Sequence, residues 1–295
     1  MGIQFRHYAS QAGMTEDYHR VRRFFSELGD DLFDYARWDW MARHSWLDRD
    51  ALHQIGLWLD EDRVVAAATF DTQPGTGYCL TLPAYAYLKR DMLLYAREHL
   101  RKNGSFSVVI GDDDPDFQSA AADLGFIATQ DREYVSGFYP QQTATAYTLP
   151  AGFGITSLDE TFDLFQYRRV LWKGFDHEPE GPFEFTDETK RDAAAEMMRP
   201  YVDLSLKIAA VAADGNFVSY CGLWYDRQLS YAVVEPLATD PAYRRLGLGK
   251  AVVLEGIRRV ARRGAKRVLV GSAQPFYYHI GFRPYRTSTV WRETS

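Results

Sequence analysis

The sequence predicts an α/β protein in which one domain occurs twice in tandem. Its 295 residues exceed the roughly 100–200 residues of a single domain. Short β-type runs and amphipathic helix patterns follow one another in the same order in both halves, at an offset of about 155 residues. Between the halves, Tyr139 to Gly154 collects Pro140, Pro150, Gly152 and Gly154, a linker composition. These features place the division at 1–145 and 146–295.

In the second half, Lys207 to Ala213 and Phe217 to Tyr225 read as strands joined by the turn Asp214-Gly215-Asn216. A strand from Ser230 to Leu237, a turn, a helix from Leu248 to Arg263 and a strand from Arg267 to Val270 follow. A short helix then leads to Gly281-Phe282. The first half runs in parallel. Gln54 to Leu59 and Val64 to Phe70 flank the turn Asp60-Glu61-Asp62, followed by strand Tyr78 to Leu82, helix Leu88 to Leu100 and strand Ser105 to Ile110. A helix from Phe117 to Leu124 then ends at Gly125-Phe126. Pro179, Gly181 and Pro182 mark Gly174 to Thr186 as an exposed loop.

Hydrophobic residues make up 46% and charged residues 25%, the balance of a soluble domain with a sizeable core. The net charge of −6 opposes a role in gripping nucleic acid. No apolar run reaches the roughly 18 residues of a membrane span, and Met1-Gly2-Ile3-Gln4-Phe5-Arg6 lacks a signal-peptide core. The expectation is a cytoplasmic protein. Cys79 and Cys221 lie in separate halves within apolar runs and read as buried thiols, and the histidines show no metal-ligand spacing, so no metal is expected.

The chemistry concentrates in Leu237-Ala238-Thr239-Asp240-Pro241-Ala242-Tyr243-Arg244-Arg245-Leu246-Gly247-Leu248-Gly249-Lys250. An apolar strand ends, Asp240-Pro241 turns the chain, and two glycines precede a helix with the apolar stripe Val253, Leu254, Ile257, Val260. A helix start offers unpaired N–H groups and partial positive charge, and glycines let a ligand approach the backbone. A phosphate or pyrophosphate suits such a place, with Arg244, Arg245 and Lys250 adding charge. A dinucleotide fingerprint would need a third glycine where Val252 stands, and a P-loop would need Ser or Thr where Ala251 stands.

Arg244-x-x-Gly247-x-Gly249 resembles the acyl-CoA signature of the GNAT superfamily of N-acetyltransferases. Phe276-Tyr277-Tyr278-His279-Ile280-Gly281-Phe282 resembles the family's second motif, a Tyr four residues before Gly-Phe. The likeness spans Leu206 to Tyr285. It implies two tandem GNAT-like domains, each a mixed, mostly antiparallel twisted sheet flanked by helices, the first copy degenerate. It further implies acetyl-CoA, or another acyl-CoA, as co-substrate and direct transfer to a primary amine of a small molecule or peptide, without a covalent intermediate. Carried over by position, Leu237, Ala238 and Thr239 pair with the pantetheine arm, and the amides of Arg245, Leu246, Gly247, Leu248, Gly249 and Lys250 hold the pyrophosphate. Tyr277 is the general acid and Glu235 the general base or amine-binding group. The segment from Gly271 to Tyr277 is short for the family, and Ser272 and Gln274 stand in for its usual Asn.

In the first copy, Leu82-Pro83-Ala84-Tyr85-Ala86-Tyr87-Leu88-Lys89-Arg90 has no glycine, and Ala121 stands where the Tyr would be, so productive acyl-CoA binding is not expected. Trp38, Asp39 and Trp40, within Phe33 to Trp46 and near His44, suit an amine-binding lid or a packed helical hairpin. Asp176, Glu178, Glu180 and Glu184 form an acidic rim or a solvated loop. Two further readings stand beside the transferase: a non-catalytic acyl-CoA sensor, and a nucleic-acid binder suggested by Arg258, Arg259, Arg262, Arg263, Lys266 and Arg267. Monomer and homodimer are both open.

Overall fold

The computed structural model of the chain describes residues 2–9, 13–29, 33–42 and 46–294. Two compact units form: Met1–Tyr134 with Arg286–Ser295, and Val135–Tyr285. In chain order the elements of the first half are β1 (Gln4–His7), α1 (Glu16–Leu28), α2 (Tyr35–Met41), β2 (Gly56–Asp60), β3 (Arg63–Phe70), β4 (Thr76–Thr81), α3 (Lys89–His99), β5 (Ser107–Gly111), α4 (Pro115–Asp123) and β6 (Phe126–Phe138). The second half continues with β7 (Gly154–Ser157), α5 (Leu164–Gly174), α6 (Asp187–Met197), β8 (Lys207–Val211), β9 (Phe217–Tyr225), β10 (Tyr231–Thr239), α7 (Leu248–Arg262), β11 (Arg267–Val270), α8 (Pro275–His279) and β12 (Arg283–Glu293).

The units differ from a cut at residue 145 because their strands are not assigned by chain order. The end of β12 pairs with β5 and completes the first unit, while the end of β6 pairs with β11 and completes the second. The linker-like stretch 139–153 carries no helix or strand. Strand order is β1-β2-β3-β4-β5-β12 in the first unit and β6-β11-β10-β9-β8-β7 in the second. Both sheets are mostly antiparallel. Each has one parallel pair at the same place in the order, β4 with β5 and β10 with β11. The duplication is therefore visible in topology as well as in sequence pattern.

In the second unit α7 covers one sheet face. Val252, Val253, Leu254, Ile257 and Val260 meet Ile208, Cys221, Leu223 and Ala232 in a single buried cluster. Each such aliphatic side chain contributes about 1.5–3 kcal/mol when removed from water. The opposite face holds a smaller cluster in which Tyr167 and Val170 of α5 pack on Ala209 and Tyr220. The basic residues at the end of α7 are largely spent internally. Arg258 and Arg259 pair with the buried Glu255, and Arg263 with Asp203.

Trp38 and Asp39 of the aromatic segment pack inward, as in the packed-hairpin alternative, whereas Trp46 is exposed. Trp38 and Asp39 are each 1% exposed, and Asp39 accepts from Arg22 Nε at 3.0 and 3.1 Å and from the Tyr18 hydroxyl. The partners lie on the preceding helix, where the local pattern of Trp38-Asp39-Trp40 gives no sign of them. His44 lies outside the described residues.

Helix α7 approaches β9 so closely that a Cβ on Gly256 would stand 2.1 Å from Leu223 Cδ1. Gly256→Ala is expected to destabilise the chain by about 1–3 kcal/mol through overpacking. A chemical denaturation series on the two proteins checks this as a lower midpoint at unchanged slope.

Candidate active site

The site arises where two strands part. Strand β10 runs parallel to β11 only over Tyr231–Val233. Its pairing with β9 then shifts register between Val234 and Leu237, a bulge centred on Glu235 and Pro236. Pro236 has no N–H to offer the ladder. The backbone at this point crowds Gly222 of β9, where a Cβ would stand 2.6 Å from the Glu235 carbonyl oxygen, so only glycine fits opposite the bulge. Beyond it, Leu237, Ala238 and Thr239 pair with β9 on one side and have no ladder to β11 on the other.

The turn after β10 is held by its acid. Asp240 is buried, accepts from Ala242 N at 3.0 Å and lies 3.6 Å from Lys173 Nζ. Next, Arg245 (φ 65°) and Gly247 (φ 83°) both take left-handed backbone, and α7 begins without a side-chain cap. The first amide to donate within the protein is that of Ala251, to Gly247 O at 3.0 Å. Among the described residues, none of the N–H groups of Arg245, Leu246, Gly247, Leu248, Gly249 and Lys250 has an acceptor in the protein. Six main-chain donors thus stand together at the positive end of a 15-residue helix. A Cβ on Gly247 would meet nothing within 4 Å, whereas one on Gly249 would touch Thr239 Oγ1 at 3.2 Å and Phe276 at 3.5 Å. Gly247 borders open space, and Gly249 lets the helix start close against the end of β10.

The charged side chains divide. Arg244 is spent on structure: Nη2 donates to Gly174 O at 2.9 Å and pairs with Asp176 at 3.0 Å, and Nε donates to Thr239 O at 3.2 Å. Asp176, read as part of an acidic rim, is thereby a strut. Glu178 pairs with Lys173 and Glu180 with His177, while Glu184 is exposed. Arg245 and Lys250 are exposed beside the bare amides.

Tyr277 sits on the short α8, whose five residues begin at Pro275. Its ring packs edge-on against Phe276 and Phe282 at 5.2 and 5.4 Å, and it is buried. Burial pushes its hydroxyl pKa up, and the nearby Cys221 and Glu235 push it the same way. The three side chains therefore share one neighbourhood, and the Tyr277 hydroxyl stays protonated at ordinary pH. Ser272 accepts from Gln274 N at 3.2 Å through Oγ and from Ser136 Oγ at 2.6 Å through its carbonyl, and Gln274 is exposed.

Two residues the sequence reading passed over complete the site. Trp224 of β9 donates Nε1–H to Glu235 O at 3.0 Å. Lys207 of β8 is 3% exposed, donates to Leu223 O at 3.1 Å and holds its ammonium 4.0 Å from the centroid of the Trp224 ring. The available signal was a lysine between Leu206 and Ile208 in an otherwise apolar strand.

Residues 169–282 match the model of the acetyltransferase (GNAT) family. A tandem GNAT protein from the clavulanic acid biosynthesis pathway, solved without AcCoA, aligns over 99% of this chain and 98% of its own, with a TM-score of 0.62 and 15% identity. A GCN5-related N-acetyltransferase from Sphaerobacter thermophilus aligns over 99% and 95%, with a TM-score of 0.58 and 16% identity. A GNAT-family acetyltransferase from Colwellia psychrerythraea aligns over all of both chains, with a TM-score of 0.59 and 12% identity. No curated protein matches the chain. The match over residues 169–282 supports acyltransferase activity for this part of the chain. The chain as a whole has the fold of solved tandem GNAT proteins, and the matched residues 169–282 lie in its second unit. Among the described residues no helix is long and apolar enough to cross a membrane.

Lys207 yields a pH test. Burial lowers its pKa from 10.5 to about 8. The unfolded chain therefore holds this proton more tightly than the folded one, so its contribution to stability grows as pH rises from about 8 towards 10.5. Lys207→Met removes that gain. Thermal melts at about pH 7.5 and pH 9.5 are expected to show wild type improving relative to the variant. A pH-independent difference in melting temperature would contradict the lowered pKa.

Proposed function

We propose that the second unit transfers an acetyl group from acetyl-CoA directly to a primary amine of a small molecule or a peptide. The observation that carries this reading is the set of six free main-chain N–H groups from Arg245 to Lys250 at the start of α7. Such a set favours a diphosphate, since each oxygen accepts a charge-assisted hydrogen bond from groups already fixed in place. Arg245 and Lys250 add mobile positive charge at the rim. The parted edge of β10 from Leu237 to Thr239 offers backbone partners to the amide-bearing pantetheine arm. Ser272 and Gln274, which follow β11 in the chain, serve as secondary contacts.

The transfer needs no enzyme-bound acyl group. The amine nitrogen forms a bond to the thioester carbonyl carbon, and the carbon–sulfur bond breaks. An N–H near Leu237 polarises the carbonyl as negative charge develops on its oxygen. Glu235 takes the proton the incoming ammonium must lose, directly or through water. Tyr277, protonated in the resting site, gives its proton to the leaving thiolate and regains one from the nitrogen as the amide forms. Holding both reactants in the gap beside the bulge supplies much of the acceleration by proximity.

The first unit takes no direct part in this chemistry. Where the second has its glycine loop, the first has a 3₁₀ turn over Pro83–Leu88 that leads straight into α3. Pro83 lacks an N–H and the segment has no glycine, which supports its reading as a degenerate copy.

Gly247→Glu places a carboxylate in the anion's space. Acetyl-CoA affinity measured by calorimetry is expected to fall more than about 100-fold; undiminished affinity would remove the cofactor assignment. Tyr277→Phe is expected to lower kcat by about 10²–10⁴ with acetyl-CoA affinity kept, in an assay of thiol released across an amine library. Binding of acetyl-CoA with no turnover on any amine would favour a sensor instead.

A further inference from the structure

We propose that Lys207 is a positioning residue for acyl transfer, which through Trp224 fixes the bulge of β10 and does so only while its side chain is an ammonium. The inference rests on the transferase reading above and adds to it a residue outside the reacting groups.

A buried lysine is an unusual choice for a strand interior, because an ammonium without adequate partners is costly to bury and a methionine would fill the volume freely. Its placement explains the choice. Strand β10 leaves its register with β9 after the pair Val234 and Leu223. Lys207 Nζ donates to the carbonyl of that same Leu223 at 3.1 Å. The same ammonium lies 4.0 Å from the centroid of the next residue's ring, Trp224. The indole N–H of Trp224 in turn donates to the Glu235 carbonyl, inside the bulge, at 3.0 Å. One cation on β8 therefore holds two successive residues of β9, and the second of them reaches across to β10. The attraction between ammonium and ring face fixes the indole plane, and so the direction of the N–H aimed at Glu235.

Proton loss removes this hold. A neutral amine keeps a weaker hydrogen bond to Leu223 O but has no charge for the ring. The groups that face the ammonium are Glu196 of α6, Arg199 beyond its end, Asp203 ahead of β8 and Cys221 of β9. Glu196, Asp203 and Cys221 favour the charged form and Arg199 opposes it, while burial sets the balance at about 8. Rising pH then stabilises the fold through Lys207 but loosens the bulge, so stability and turnover move in opposite directions. A purely structural lysine would not behave in this way.

The test measures kcat and KM across pH for wild type, Lys207→Met, Trp224→Phe and the double variant, with acetyl-CoA affinity by calorimetry. Trp224→Phe keeps a ring but loses the N–H to Glu235. Wild-type kcat is expected to turn down above about pH 8. In Lys207→Met it is expected to be about 10- to 100-fold lower at neutral pH, with that downturn gone. The double variant is expected to be no worse than the poorer single one. If Lys207→Met does not fold, Lys207→Arg keeps a charge at all these pH values and is expected to lose the downturn while retaining turnover. A downturn unchanged in the Lys207 variants, or losses that multiply in the double variant, would overturn the proposal. Failure of wild type to bind acetyl-CoA would instead sink the transferase reading itself.

Discussion

The parting of β10 from β11 is the constraint on which the second unit depends. A strand inside a sheet has its N–H and C=O groups satisfied on both sides, and a ligand can join only where one side is released. Here release is built into the sequence. Pro236 withholds a donor from the ladder, the register with β9 shifts around it, and Gly222 leaves room for the displaced Glu235 carbonyl. Parallel pairing with β11 stops at Val233 and Leu269. The result is a fixed gap between two strands anchored elsewhere by the core under α7.

The same parting sets the electrostatics. Once β10 stands free, its end leads through the Asp240 turn into the start of α7, and left-handed residues at Arg245 and Gly247 turn successive amides away from the protein. Arg244 contributes by tying this loop to Gly174 and Asp176 at the end of α5. Its charge is largely answered by Asp176, which leaves the backbone amides with Arg245 and Lys250 as the proposed anion-binding surface. In the proposed reading, affinity for a diphosphate rests chiefly on groups that need no reorganisation, which is the condition for strong binding by weak dipoles.

Much of this was legible in the sequence because it is local. The glycine pair before an amphipathic stripe marks the loop and helix, and the runs Phe217 to Tyr225 and Arg267 to Val270 stand in the structure with those same ends. What escaped is what distant parts of the chain decide. Strands β6 and β12 carry Asp131, Arg132, Glu133, Arg286 and Arg292 and read as polar segments, yet the sheet fixes them through neighbours far away in sequence. The domain division follows from these two strands, so a linker-like stretch could not give it. Trp38-Asp39-Trp40 resembled a cation trap only while Arg22 was out of view. Lys207 and Trp224 look like unrelated strand residues until the sheet sets them face to face.

The amides of Arg245 to Lys250 are the groups on which acyl-CoA binding is proposed to depend. Backbone NMR of ¹⁵N-labelled protein titrated with CoA, and separately with pantetheine, addresses them one by one. CoA is expected to shift the resonances of these six residues most strongly, and pantetheine, lacking the diphosphate, to leave them in place while moving Leu237 to Thr239. CoA-induced shifts centred anywhere else, with the 245–250 amides unmoved, would contradict the proposal.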